Sequence, residues 1–320
     1  MPGFEKGLVE LGDGVHAYLQ PDGSWGWSNA GLVVGDGGST LVDTLFDLHL
    51  TAEMLDTMKP LVADAPISTV VNTHANGDHC YGNQLFDGPG VAFVATDAAA
   101  HEMDELPPSA VAAIKAAAPP GPLGSFVEHA FGPFDFDGIE IPPITDTFSG
   151  RHTVAVGGRA VELIEVGPAH TAGDLLAWMP DERVLFAGDI LFIGGTPIMW
   201  AGPVENWISA CDLIEELAPR VVVPGHGPLT DPAGARDMGD YLRFVRDGVV
   251  ERHRAGMTAL DATRDLDTEI NGTRFGSWDD RERLVVTVHG IWRDLEPDAP
   301  APDVTTLFGH MADDFAARRR

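Results

Sequence analysis

The stretch NTHANGDHC, residues 72–80, brings two histidines, an aspartate and an asparagine close together: His74, Asn76, Asp78 and His79. Imidazole nitrogens and carboxylate oxygens are the usual ligands of a catalytic zinc or iron, and such sites draw them from loops at strand ends. The stretch follows ISTVVN, residues 67–72, an apolar run too short for an ordinary helix, so the pattern predicts a buried strand that delivers His74 into a loop. Three further places match: His170 in GPAHTAGD, Asp189 in LFAGD and His226 in VVPGHG. Each comes just after a predicted strand and sits beside a glycine, which lets the backbone turn closely around an ion.

Working outward, residues 30–43 (AGLVVGDGGSTLVD) read as strand, glycine turn and strand, and a short helix is expected over 48–58. Apolar runs at 91–96, 160–166, 174–179, 183–188 and 220–225 predict further strands. Val204, Trp207, Ile208, Cys211, Ile214 and Leu217 fall on one stripe of an amphipathic helix that ends before Pro219. PPGPLG, residues 119–124, breaks an alanine-rich helical stretch and reads as a loop inside one domain. Beyond about residue 235 the sequence is helical in pattern, ending in a solvated tail at Arg318, Arg319 and Arg320. Strands interspersed with helices, then a helical tail, predict α/β layers with a C-terminal cap.

The chain has 320 residues, 44% of them hydrophobic, enough for a sizeable core. Its longest apolar runs fall short of a bilayer span, and residues 1–20 carry no basic start followed by an apolar block, so a cytoplasmic protein with no membrane partner is expected. A formal charge of −29, from 49 acidic against 20 basic residues, argues against attraction to nucleic acid. Cys80 and Cys211 form no disulfide framework. Cys211 lies on the apolar helix stripe, and Cys80 reads as a small buried hydrophobe.

In order, Asp43 of the hairpin, the quoted motif, the lone His170, Asp189 and the final PGHG resemble the metallo-β-lactamase superfamily, whose first motif is normally HxHxDH. The resemblance runs from about residue 10 to 235. It implies an α/β fold, the four-layer αββα sandwich, over residues 1–235, with a C-terminal helical extension over 236–320 packed on the same domain and metals at the open edge between the sheets. Carried over position by position, it makes His74, Asn76 and His170 one metal site and Asp78, His79 and His226 the other, with Asp189 bridging. The departure is Asn76, which stands where the family has its second histidine. An amide oxygen is neutral like imidazole but a harder, weaker donor for zinc. Either the enzyme works with one ion, or a pair survives with manganese or iron in place of Zn2+, or Asn76 leaves the metal and bonds the substrate or the attacking water.

The single histidines His16, His49, His101 and His289 are assigned no function, and Asp43 reads as an orienting partner for a ligand histidine. Trp25 and Trp27 fall where the family often has a flap over the site, and Met199 and Trp200 follow Asp189 in another bordering loop, so these four are the expected pocket wall. Residues 190–207 hold no Lys or Arg, which disfavours the carboxylates of a β-lactam or a glutathione thioester. The expected activity is a metal-dependent hydrolase that uses a metal-bound hydroxide on a small, fairly apolar ester, lactone, thioester or amide. Asp78 would orient the water, and the Asn76 amide would donate to the developing oxyanion. The rival readings are di-iron oxygen chemistry or a cyclase on the same scaffold, and a metal-poor binding module. The C-terminal helices are compatible with a homodimer.

Overall fold

The computed structural model describes residues 3–319 apart from 87, 89, 104, 106, 299 and 301. Met1, Pro2 and Arg320 lie outside that set. Among the described residues are strands β1 (Gly7–Gly12), β2 (Val15–Leu19), β3 (Ala30–Val34), β4 (Ser39–Val42), β5 (Ile67–Val71), β6 (Ala92–Thr96), β7 (Asp146–Phe148), β8 (Arg151–Val156), β9 (Arg159–Glu165), β10 (Leu175–Met179), β11 (Val184–Phe192) and β12 (Val221–His226). The helices are α1 (Leu48–Met58), α2 (Gly77–Cys80), α3 (Asp97–Glu102), α4 (Pro108–Ala117), α5 (Pro122–Phe131), α6 (Val204–Leu217), α7 (Pro232–Arg254), α8 (Ala259–Ile270), α9 (Leu284–Leu295) and α10 (Val304–Arg318).

The strands build two sheets, ordered β1-β2-β3-β4-β5-β6-β7 and β12-β11-β10-β9-β8. The first is antiparallel through β4 and parallel from β4 to β7; in the second only β11 and β12 are parallel. Alternation along a strand sends neighbours to opposite faces, and here both faces are covered. In β10, Leu175, Ala177 and Met179 join Val33, Val42 and Val71 of the other sheet in the inner core, whereas Leu176 and Trp178 join Trp207, Met238 and Leu242 of α6 and α7. Leu32, Leu41 and Val70 face outward from the first sheet onto Leu50, Met54 and Met58 of α1. The result is the four-layer αββα sandwich. Gly31 of β3 belongs to this packing, since a Cβ there would collide with the Phe186 ring of the facing sheet.

One expectation needs correction. PPGPLG is not all loop: Pro122 opens α5, where the missing N–H of proline costs nothing. α7 begins at Pro232, capped by the Asp231 carboxylate on Ala233 N at 2.8 Å. Arg318 and Arg319 are exposed, as a solvated end is, but held in place: Arg318 closes α10 with Nη2 2.7 Å from Asp267 Oδ1, and Arg319 lies over the Phe315 ring at 4.2 Å. Ile270, Val285, Val288, Ile291 and Met311 of the C-terminal helices share the core of the second sheet. Among the described residues, no helix is long and apolar enough to cross a membrane.

Candidate metal centre

β5 ends at Val71 and the chain turns so that His74 enters the gap at the edge of the two sheets, while α2 carries Asp78 and His79. His170 follows β9, and Asp189 and His226 come from β11 and β12. Asp189 sits inside its strand rather than after it. Gly188 takes φ +49 and the β11–β12 register breaks on both sides of it, and that bulge turns the Asp189 carboxylate toward the histidines.

All four histidines spend Nδ1 on an outward partner. His79 Nδ1 lies 2.9 Å from Asp43 Oδ2, His170 Nδ1 2.6 Å from the Ile198 carbonyl, and His226 Nδ1 3.1 Å from the Gly23 carbonyl. His74 Nδ1 lies 3.0 Å from Thr73 Oγ1, which donates to Asp43 Oδ2 at 2.7 Å. This network sets the tautomers and turns every Nε2 inward. Asp189 lies among them, Oδ2 being 3.3 Å from His170 Nε2, 3.5 Å from His226 Nε2 and 3.7 Å from His74 Nε2, and Oδ1 3.1 Å from His79 Nε2. Asp78 Oδ2 lies 3.2 Å from His226 Nε2.

Two donor groups result, His74 with His170 and Asp189, and Asp78 with His79 and His226; within each, the ligand atoms lie within 4.8 Å of one another. His74 Nε2, His79 Nε2 and Asp189 Oδ1 are buried without a hydrogen-bond partner. Buried polar atoms left unpaired are costly, and inward lone pairs on nitrogen and oxygen are the donor set of a divalent ion, so the residues fit a metal. Asn76 stands beside the first group, its Nδ2 2.9 Å from His170 Nε2.

The same crowding moves the proton equilibria. Burial pulls His79 down, but the carboxylates of Asp189, Asp78 and Asp43 outweigh it and hold the ring well above its ordinary pKa. Burial likewise opposes the Asp189 and Asp78 carboxylates that push His226 up to about 9. His74 goes the other way, lowered well below its usual value by burial and by the neighbouring His79 charge. Metal binding here must therefore displace protons.

The loops are tied from behind. Thr171 N and Oγ1 donate to Asp174, and Trp200 N donates to the His170 carbonyl at 2.9 Å, which joins the 170 and 198–202 loops. Asn72 Nδ2 donates to the His79 carbonyl at 2.9 Å and Ser28 Oγ to that of Asp78 at 2.5 Å. Cys80 is buried and its thiol is pushed well up, first by burial, which makes it inert; Cys211 is buried too, and both are free.

A cavity of about 360 Å³ opens on the donors, with Asn76, Asp78, His170, Asp189 and His226 in its wall. Trp25 and Trp200 line it. Trp27 and Met199 do not: Trp27 packs on Phe134, ring centroids 5.0 Å apart, and Met199 is buried in the core against Gly290. The sequence reading missed Phe131 of α5, Phe308 of α10 and Arg283, all of which line the cavity. Arg283 adds to the cavity a cation that residues 190–207 do not supply, from far along the chain.

A family model described as the metallo-beta-lactamase superfamily matches residues 23–226. A beta-lactamase-like protein 2 homolog of Caenorhabditis elegans is 35% identical over 119 residues, 35% of this chain and 39% of that protein. A hydroxyacylglutathione hydrolase of Synechococcus sp. (strain JA-3-3Ab) is 34% identical over 77 residues, 24% of this chain and 30% of that protein. The chain thus matches well under half the length of these curated relatives. Among solved structures, the stereoselective inverting sec-alkylsulfatase Pisa1 from Pseudomonas sp. superposes with a TM-score of 0.66 at 16% identity, covering 90% of this chain and 50% of that one, a likeness of fold.

Proposed function

The chain belongs to the metallo-β-lactamase superfamily, and from that premise we propose that it is a metal-dependent hydrolase of a small, fairly apolar ester, lactone, thioester or amide. Members of this superfamily are mostly metal-dependent hydrolases. The observation that carries the reading is the pair of donor groups, with every imidazole Nε2 turned inward, opening directly on a cavity walled by Trp25, Phe131, Trp200 and Phe308. His74 and His170 with Asp189 would hold one ion, and Asp78, His79 and His226 with Asp189 the other, zinc being the ion that this donor set suits. A bound divalent ion supplies a lowered pKa for water and Lewis-acid polarisation of the substrate carbonyl.

The chain's own residues do the rest. Asp78 is the carboxylate of the cluster that reaches the cavity with the greater exposure, 12% of its side chain against 3% for Asp189, so it is placed to accept a hydrogen bond from the attacking water and take up its proton. The Asn76 amide, also in the cavity wall, is a donor for the oxygen that gains charge as the carbonyl is attacked. Trp200 and Phe308, stacked at 6.3 Å, exclude water and hold the apolar part of the substrate.

The test is turnover of neutral 4-nitrophenyl alkanoates with metal analysis of the same sample. Expected are activity that a chelator removes and zinc restores, and a loss of at least about a thousandfold in kcat/KM for Asp78→Ala. Turnover indifferent to chelation and to Asp78→Ala would refute the reading.

A further inference from the structure

The cavity is charged unevenly. Among the described residues that line it, Asp78, Glu102, Glu105 and Asp189 are acidic, and apart from the donor histidines His170 and His226, Arg283 alone is basic. Glu105, Ile114 and Val304 are its exposed lining residues, so a molecule entering meets a carboxylate between apolar side chains before it reaches the donors. Arg283 lies deeper, with 2% of its side chain exposed. Its guanidinium sits 4.6 Å from the Trp25 ring centroid and 5.2 Å from that of Phe192, and Phe192 stacks on His226 at 5.0 Å with the planes 4° apart.

The charge of Arg283 is already matched. Nη2 lies 3.0 Å from Asp280 Oδ2, Nη1 donates to the Thr196 carbonyl at 3.4 Å, and Nε has no partner. Asp280 does not line this cavity; it lines a neighbouring one. Glu282 next to it accepts from Trp25 Nε1 at 2.8 Å, and His129 Nε2 stands 3.7 Å from Asp280 Oδ1. The group His129, Asp280 and Glu282 is therefore engaged internally rather than turned toward a ligand.

On the hydrolase reading above, we propose that Asp280 is the specificity-determining residue of this cavity: by holding the charge of Arg283, it makes the site take an uncharged apolar group on the non-reacting part of the substrate and reject a carboxylate there. A carboxylate entering the cavity loses water, and burying a charge is unfavourable unless a partner compensates it. Away from the donor groups, which take the reacting end, the one cationic side chain in the wall is neutralised by Asp280, and the carboxylates of Glu102 and Glu105 repel. An uncharged alkyl or aryl group meets only the apolar walls, which cover it without that penalty. Removing the Asp280 carboxylate takes away the one direct ion pair of the guanidinium among the described residues and leaves Glu282 as a charge without contact. Asparagine suits the substitution because it has the same shape and tolerates the φ of +53 found at this position.

The experiment compares adipamide monohydroxamate with adipate monohydroxamate, which share one metal-binding head and differ in a neutral amide or an anionic carboxylate at the far end, by calorimetry on metal-loaded wild type and Asp280→Asn. The head and the ions contribute equally in both proteins, so the change in the ratio of affinities reports on Arg283. Asp280→Asn is expected to tighten binding of the carboxylate probe about tenfold and to alter the amide probe by less than about twofold, and Asp280→Asn with Arg283→Gln is expected to lose the gain. Asp280→Gly, which also suits positive φ, gives the same reading if the asparagine variant does not fold. Unchanged affinity for the carboxylate probe, an equal gain for the amide probe, a gain that persists in the double variant, or no binding of the amide probe by wild type would each overturn the proposal. Neutral esters that bind but are not turned over would refute the hydrolase reading alone, because the affinity ratios do not depend on turnover.

Discussion

Oδ2 of Asp43 lies 2.9 Å from Nδ1 of His79, and the same carboxylate accepts from Thr73 N and Oγ1 at 2.7 Å each. One buried aspartate at the end of β4 thus fixes the ring of His79 directly and that of His74 through Thr73. A carboxylate can only accept here, so it keeps the proton on Nδ1 and leaves Nε2 free for an ion. Asp43→Asn places an amide where its NH₂ can face the ring, which moves the proton to Nε2. Asparagine tolerates the φ of +62 at this position, so folding survives. The expected result is a loss of about ten- to a hundredfold in metal affinity, measured by competition with a chromophoric chelator. Wild-type affinity in this variant would show that the carboxylate does not orient the donor.

Asn76 makes a second prediction. His170 commits Nδ1–H to the Ile198 carbonyl, so Nε2 has only its lone pair, and Asn76 Nδ2 lies 2.9 Å away as a donor to it. The amide therefore competes for the lone pair that the first donor group needs, whereas among the described residues no amide stands against the group of Asp78, His79 and His226, whose competitor is the proton and is removed by titrating above about pH 9. Titration with zinc should resolve two affinities at least about tenfold apart, and Asn76→His should bring them together by strengthening the weaker. A single class of sites in wild type, unchanged in the variant, would remove the competition argument.

What the sequence disclosed and what it hid follow from the same packing. β10 was legible because Leu175, Ala177 and Met179 face one core and Leu176 and Trp178 the other, which turns a strand into an unbroken apolar run. The stripe of Trp207, Cys211 and Ile214 announced α6 for the same reason, and the donors stood out because histidine and aspartate recur beside glycine at the ends of such runs. Asp189 was misplaced by a bulge, which depends on one dihedral at Gly188 and leaves no periodic trace. The cavity wall was harder still. Met199 and Trp200 are neighbours in sequence, yet one is core and the other borders the cavity, and hydropathy cannot separate them. Arg283 and Phe308 reach the site only through tertiary packing of the C-terminal helices, with no motif of their own.

Asp174 predicts a pH effect. It is buried behind the His170 loop, and burial raises its carboxyl to about 8 despite the hydrogen bonds from Thr171. Below about pH 3.8, the ordinary value for aspartate, the group is protonated folded or unfolded and adds no slope. Between there and about pH 8 the unfolded chain has released the proton and the folded chain retains it, so stability falls as pH rises through that window. Asp174→Asn keeps an oxygen to accept from Thr171 N and cannot titrate. In chelator-treated protein, the Tm of wild type relative to Asp174→Asn should drop steadily from pH 5 to pH 8, with a slope of at most about 1.4 kcal/mol per pH unit. Parallel Tm curves would place the folded pKa near its ordinary value.

Gly225 accounts for the glycine of PGHG that precedes His226. A Cβ built on it would collide with Asp189 Oδ1 and come 2.7 Å from the Gly188 carbonyl carbon, because β12 lies directly beside the bulge that turns Asp189 inward. Neither neighbour can yield cheaply: one is backbone, and the other is the carboxylate placed between the two donor groups. Gly225→Ala should therefore displace Asp189 and lower bound metal from both groups together, whereas removal of a donor from one group alone lowers that group first. Elemental analysis of the variant, with circular dichroism to establish that it is folded, distinguishes the cases. A folded alanine variant with the wild-type metal content would mean that Asp189 has room to move and that the close approach of the two strands is not what fixes it.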